Sequence, residues 1–413
     1  MQRQVAILGG GVVGLSAAVT LARAGHAVTV IDRDADRQAP SWNNAGHIAV
    51  EQVAPLASPA SVASAWRRRF AAGGALDLPP AMARDWLRFL PRYLDASRPS
   101  RFRHGSAALG GLLATAMPAW RRLLAAIDAP ALLREDGHLV VWNDRHSAAR
   151  GAAAWHAADT GVAMIADAGP DDRARIAAVA AVPVAGAIRF TGSGQIADLA
   201  ALAAALEAAL IAAGGRIVRA AATLTVRDGR AAVAGHAADL VVVAAGIGSA
   251  PLVAAAGHVA PLIAERGYHI RAAADAWPAD CPPLVFEDRS MIVTRYAGHV
   301  QASGFVEFGN AAAPPDPRKW QRLEAQVQAL GLAMRPPFTR WMGARPTLPD
   351  YLPAIGRSAR HPNLLYAFGH QHLGLTLAPV TAQLVGALAV ADQPSVAIAR
   401  FSLDRFSRQG PRT

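Results

Sequence analysis

The chain has 413 residues, 53% of them hydrophobic, and a formal net charge of +11. That length and apolar content can bury a sizeable core, which excludes general disorder and points to two domains or one large α/β unit. The charge rests on arginine, since Lys319 is the only lysine. No basic motif with interleaved aromatics is visible, so no nucleic-acid partner is expected. The lone Cys281 excludes an intramolecular disulfide, fits a reducing cytoplasm and reads as an inert core thiol.

Taken in chain order, Val5 to Leu8 is a short β-prone run, too short for a signal peptide and followed at once by glycines. A helical pattern from Gly14 to Ala24 stops at Gly25, and a second strand, Ala27 to Ile31, closes at Asp32. Strand, tight turn, helix and strand make a βαβ unit. Ser41 to Pro59 reads as loop. Basic and aromatic residues at helical spacing fill Trp66 to Arg103, and helix continues through Trp120 to Ile127. A strand is expected at His138 to Trp142, followed by a polar, Ala-rich helix. Asp198 reads as the N-cap of a helix ending at Gly214-Gly215. A strand from Arg216 to Ala220 precedes a hairpin, Thr223–Val226 with Ala231–Ala234, around Asp228-Gly229. Asp239 to Ala245 is an apolar strand stopped by Gly246.

Short strands with a turn at Ala297-Gly298-His299 are expected between Arg266 and Gly309, then a helix from Lys319 to Leu330. A Pro/Gly-rich segment, Pro336 to Gly356, leads to a strand Leu364–Phe368 and a last helix from about Pro379 to Ala391. Two long uncharged stretches, Leu240–Ala264 and His372–Val390, are candidate membrane spans by length and composition. Gly246 to Pro251 breaks the first, and the second carries Thr376, Pro379, Thr381 and Gln383. Both are expected to be buried elements of a soluble fold.

The first chemistry-bearing motif is Gly9-Gly10-Gly11-Val12-Val13-Gly14, which fits G-x-G-x-x-G between a strand and a helix. The first glycine permits the turn, the second lets a pyrophosphate approach the backbone, and the third lets the helix pack on the strand. Asp32, at the end of the second strand, can accept hydrogen bonds from ribose hydroxyls. These features define a dinucleotide site without distinguishing FAD from NAD.

Further motifs carry a resemblance. Val241-Val242-Val243-Ala244-Ala245-Gly246 resembles the second dinucleotide-contacting segment of flavoproteins with two dinucleotide-binding domains. Gly343-Ala344-Arg345-Pro346 to Gly356, Asn363 to His370 and Gly374-Leu375-Thr376 look like the D-amino-acid oxidase and dehydrogenase superfamily, which includes glycine and sarcosine oxidases. The loop Ser41-Trp42-Asn43-Asn44-Ala45-Gly46-His47-Ile48 is most similar to the bacterial D-amino-acid dehydrogenase branch, including D-hydroxyproline dehydrogenase-like members.

The resemblance implies an α/β fold with an α+β substrate domain: a Rossmann-like FAD-binding domain of the two-dinucleotide-binding-domain type, and a mixed-sheet substrate-binding domain. The FAD domain takes 1–90, 188–264 and 341–413, and the substrate domain 91–187 and 265–340. It also implies a noncovalent FAD. Gly9, Gly11, Val12, Val13 and Gly14 would hold the pyrophosphate, Asp32 and Arg33 the adenosine ribose, and Val218 the adenine side. Ser41, Asn44, Ala45, Gly46 and His47 would line the flavin, with Ala245 and Gly246 against the dinucleotide. Gly343, Gly369, His372, Leu373, Gly374, Leu375 and Thr376 would contact the isoalloxazine end, where the N-terminal dipole of the last helix is expected to point. The family's substrate-binding arginine falls on Arg345, a bidentate carboxylate clamp. His372 stands where glycine oxidase has an arginine, and Met291 where it has a substrate-binding tyrosine. His372, Tyr268 and His47 are the other candidate catalytic groups, and no metal is expected.

Three readings follow. The first is oxidation of D-amino acids, with D-proline and hydroxyproline-like imino acids as candidates, by hydride transfer from Cα to flavin N5. Electrons would pass to a respiratory acceptor such as quinone, with the Arg-rich segment Trp66–Tyr93 resting peripherally on the inner face of the cytoplasmic membrane. The second is an oxidase of glycine- or sarcosine-type amines using O₂. The third is a flavin-binding module without catalysis.

Overall fold

A computed structural model describes residues 2–407; positions 408–413 of the last assigned FAD segment lie outside the described residues. Two sheets dominate. The first has six strands in the order Arg216–Val218, Ala27–Ile31, Gln4–Leu8, Leu240–Val243, Leu364–Phe368 and Ala354–Arg357. All neighbours run parallel except the last pair.

Its inner strands are apolar almost throughout, Gln4 and Thr29 excepted, because both faces are covered. Side chains alternate between faces with a period of two. Val5 and Ile7 join one core with Val28, Val30, Val242, Leu365 and Ala367. Ala6 and Leu8 join the other with Ile31, Val241, Val243, Tyr366 and Phe368. Helices Val12–Arg23, Leu199–Ala212 and Gly374–Ala389 cover the first face, and the hairpin Leu224–Arg227/Arg230–Val233 covers the second. Asp198 caps the Leu199 helix as the sequence indicates, accepting from the amides of Ala200 and Ala201. The chain leaves Gln4–Leu8 in opposite directions across the sheet, which puts a crevice at the carboxyl ends of the central strands.

The second sheet runs Thr339–Thr347, Ile263–Ala273, His299–Gly309, Met291–Arg295, Leu284–Phe286, His138–Trp142, Gly186–Thr191 and Met164–Asp167. Leu76–Asp77 joins it alongside His299–Gly309. The divisions drawn at 187/188, 264/265 and 340/341 therefore fall inside strands of this sheet. Gly186–Thr191, Ile263–Ala273 and Thr339–Thr347 each cross one of them.

Four element expectations shift. Thr339–Thr347 is a nine-residue strand inside the segment read only as Pro/Gly-rich. Ile263–Ala273 and His299–Gly309 are eleven-residue strands rather than short ones. Helix between Trp66 and Arg103 is confined to Ala83–Ala96 and the start of Pro99–Leu113, because Gly73, Gly74, Pro79 and Pro80 interrupt the spacing. The last helix begins at Gly374, so Pro379 lies inside it. Proline cannot donate to the Leu375 carbonyl four residues back, and the Trp120 indole N–H donates there instead at 3.1 Å.

Among the described residues one segment, Gln371–Ala389, is long and apolar enough to cross a membrane, and 67% of its most apolar window is buried. It packs on Val12–Arg23 and Ala116–Ala126. Leu240–Ala264 divides into strand, turn and short helix.

Candidate active site

A single cavity of about 1600 Å³ runs from the glycine loop, between the two sheets, to Arg345. Asp32, Arg33 and Asp34 stand at one end with Ala220 to Leu224. Gly9 to Val13, Ser41, Asn44, Ala45, Ala245 and Gly246 line its length. The far end holds Gly343, Arg345, Gly369, His372, Gly374, Leu375 and Tyr268, and His47 lines the same cavity.

The first turn is built for close approach. Gly9 has φ +113°, and a Cβ on it would meet the Ala244 carbonyl; a Cβ on Gly14 would fall on the carbonyl oxygen of Gly9. Asp32 Oδ2 accepts from Gly10 N at 2.6 Å, and Ser41 Oγ accepts from Val12 N at 3.0 Å. Asn44 shapes the next turn: its amide donates to Ser41 O and its Oδ1 accepts from Gly46 N, both at 2.6 Å. Amide donors at a helix N-terminus and a carboxylate at the second strand end suit a dinucleotide's pyrophosphate and ribose. The last helix presents its N-terminal residues Gly374 and Leu375 to the opposite end of the cavity.

Five expected cofactor contacts lie behind this wall. Val218 is spent on strand pairing, its carbonyl accepting from Asp32 N at 3.0 Å, and Ala220 to Leu224 form the wall instead. Gly14 packs helix on strand. Gly46 abuts the Tyr296 ring. Leu373 is buried in the core, and Thr376 Oγ1 accepts from Ala49 N at 3.0 Å.

At the far end, Glu265 and Arg345 face each other across paired strands, 3.2 Å from carboxylate to guanidinium. Glu265 is buried, and its other oxygen accepts from Thr347 Oγ1 at 3.0 Å and Tyr351 OH at 2.9 Å. The guanidinium lies over Gly267 and the Trp341 indole over Gly343, a cross-strand glycine pair that leaves room for both side chains. Trp341 also stacks on His269, centroids 5.0 Å apart. Burial and the nearby Arg271 keep His269 well below the usual histidine range, and hence neutral.

His372 Nε2 donates to Gln52 Oε1 at 2.6 Å. That leaves Nδ1 as a bare acceptor, buried and without a partner among the described residues. Burial, with help from Arg345, lowers the ring to about 4 against opposing pulls from Glu265 and Glu51.

Tyr268 does not offer its hydroxyl to the cavity. It donates to Glu307 Oε1 at 3.0 Å and accepts from Asp316 N at 3.1 Å. It thereby joins a buried network in which Lys319 Nζ meets Asp77 at 2.7 Å, Asp316 at 2.9 Å, and Glu307. Burial drives this phenol up to about 12. The carboxylates Asp77, Glu307 and Asp316 are close enough to ligate a metal, but Lys319 already occupies their centre.

Sequence reasoning missed Glu265, Gln52, Trp341 and His138, all of which line the cavity. Glu265 had a signal, the stretch Glu265-Arg266-Gly267-Tyr268-His269 opening the sheet. The others had none, because strand pairing brings them in from distant segments.

A parallel sheet with a glycine turn, an acidic strand end and a second sheet closing one cavity defines a two-domain nucleotide-cofactor enzyme. Residues 4–388 match the family described as FAD dependent oxidoreductase, and the chain belongs to that family. Its cofactor is FAD. The chain is 32% identical to "D-amino-acid oxidase" of Bradyrhizobium diazoefficiens, over 98% of this chain and 99% of that protein. It is 29% identical to "D-amino acid dehydrogenase" of Cereibacter sphaeroides, over 99% and 97%. Among solved structures, glycine oxidase from Geobacillus kaustophilus superposes with a TM-score of 0.71 at 19% identity, covering 98% and 99% of the two chains. Iminodiacetate oxidase from Chelativorans sp. BNC1 gives 0.69 at 21% identity, covering 96% and 98%. These likenesses match the expected FAD-binding domain with a mixed-sheet second domain.

Proposed function

We propose that the protein oxidises the Cα–N bond of D-amino acids, with cyclic imino acids of the D-proline and hydroxyproline type within reach of the same site. The observation that carries this reading is Arg345, held by the buried Glu265 and opening into the cavity beside His372. The arginine takes the substrate carboxylate through two parallel hydrogen bonds, fixing which face of Cα is presented. Bound noncovalently, FAD supplies the two-electron acceptor for the hydride that leaves Cα. The substrate must react as a neutral amine, and His372 Nδ1 is a free acceptor for the ammonium proton. Trp341 and His269 wall the site against water.

Electrons then pass to a respiratory acceptor such as a quinone, at the inner face of the cytoplasmic membrane. Between Trp66 and Arg103 nine arginines stand against three aspartates, and Trp66, Leu87 and Leu94 are exposed at 71%, 52% and 43%. A basic surface studded with apolar side chains suits anionic lipid. The alternative acceptor, O₂, is supported by the oxidase among the relatives. Turnover of D-amino acids, D-alanine, D-proline and D-lysine among them, with a quinone analogue, and with air while peroxide is assayed, tests the assignment. Reduction of the quinone without stoichiometric peroxide is expected. Peroxide equal to substrate consumed would make the protein an oxidase, and no turnover with either acceptor would contradict both.

A further inference from the structure

The cavity holds a second buried polar cluster that the site above does not use. His47 Nε2 donates to Glu51 Oε1 at 3.0 Å. His47 Nδ1 is then a bare acceptor, and it and Glu51 Oε2 are both buried without partners among the described residues. The two side chains are only 8% and 2% exposed. His138 reaches in from the other sheet. Its Nδ1 shares a hydrogen bond of 3.0 Å with Ser193 Oγ, its ring stacks on Phe190, and its edge meets His47 at 4.5 Å between centroids. Burial opposes charge on Glu51, but His47, which hydrogen-bonds to it, more than offsets this and holds the carboxyl down at about 2. The cluster therefore offers two unused buried acceptors, one of them on a carboxylate. Buried acceptors are normally paired, so this pair calls for a ligand that brings donors.

The position of the cluster gives that ligand's shape. Arg345 and His138 stand on different strands of one sheet, so they face the cavity from separate walls. His372 lies between the two ends: the Arg345–Glu265 pair and Glu51 all act on its ring, and its hydrogen-bond partner Gln52 is next in sequence to Glu51. One continuous cavity, shared with the FAD site, joins them. A guanidinium at one end and a carboxylate at the other complement a long molecule with an anionic head and a cationic tail.

We propose that His47, Glu51 and His138 form the side-chain end of the substrate pocket and select amino acids whose side chain is long and ends in a cation or hydrogen-bond donor. The inference rests on the reading that Arg345 anchors the carboxylate. A side chain that is apolar to its tip would leave both buried acceptors unpaired, and a site built for donors discriminates against such analogues.

The test pairs ligands that differ only at the tail, using the holoenzyme. Calorimetry compares 6-aminohexanoate with hexanoate, which carry the head and tail groups but no oxidisable Cα–N bond. Anaerobic flavin reduction compares D-lysine with D-norleucine. In both pairs the cationic member is expected to be favoured about tenfold or more, and Glu51→Gln is expected to collapse the ratio, chiefly through binding and KM. Equal or reversed preference in the wild type would overturn the inference, and that comparison stands even if Glu51→Gln does not fold. A ratio preserved in a folded Glu51→Gln variant would overturn it too, as would one equivalent of tightly bound metal lost in that variant. If D-amino acids reduce the flavin without a tail preference, the inference falls and the proposed function stands. If 6-aminohexanoate is preferred but no amino acid reduces the flavin, the reverse holds.

Discussion

Arg345 and His372 carry different parts of the proposed chemistry, so their variants separate. Arg345→Lys keeps the charge but loses the planar fork, and it leaves Glu265 with a poorer partner in a buried setting. A loss of about 2–5 kcal/mol in kcat/KM, roughly thirtyfold or more, is expected from steady-state kinetics. His372 acts only while neutral. Its ring is depressed to about 4, so kcat/KM is expected to be flat through neutral pH and to fall on the acid side with an apparent pKa near 4. In His372→Asn that limb is expected to vanish along with most of the rate. Gly14→Ala tests the first turn: a methyl group there meets the Gly9 carbonyl, so the variant is expected to purify without its 450 nm flavin band.

Arg345 was legible as a residue because its Gly-x-Arg-Pro setting is local. The Glu265 that holds it was not, since the two are eighty positions apart and meet only through strand register. Tyr268 misled for the complementary reason. Strand alternation cannot tell whether a hydroxyl ends in the cavity or in an ionic network beyond the sheet, and here Glu307 and Asp316 claim it.

At the scale of elements, the βαβ unit was readable from period and punctuation alone, with Ala27–Ile31 where the pattern puts it, and so were the Asp198 cap and the strand His138–Trp142. The last helix was not, because Pro379 reads as a start when it is an interior residue. Its tolerance depends on Trp120, 255 positions before Leu375, which donates to the Leu375 carbonyl that the proline leaves free. Trp120→Phe is expected to leave that buried carbonyl unpaired at a cost of about 1–3 kcal/mol. Pro379→Ala restores an N–H donor, so in the double variant denaturant unfolding is expected to recover part of the loss. Strict additivity would contradict this account of the helix.

For the whole molecule, buried histidines held neutral shape the response to acid, His138, His370 and His372 among them. Burial depresses His138 and His370 to about 3, and burial with Arg345 depresses His372 to about 4. The unfolded chain binds protons on these rings below about pH 6.5, whereas the native state does not. Stability therefore rises with pH across this range. As pH falls from about 6.5 towards 4 the protein is expected to lose up to about 1.4 kcal/mol per pH unit for each ring. Thermal unfolding measured across that window checks the prediction, and an unchanged midpoint would mean that these rings are not buried neutral.

The central claim is that the cavity between the two sheets brings a D-amino acid to FAD. An anaerobic titration of the purified holoenzyme, watched near 450 nm while D- and L-isomers of the same amino and imino acids are added, tests it most directly. Bleaching by D-isomers with the L-isomers inert is the predicted result. A flavin spectrum that neither series bleaches would contradict it.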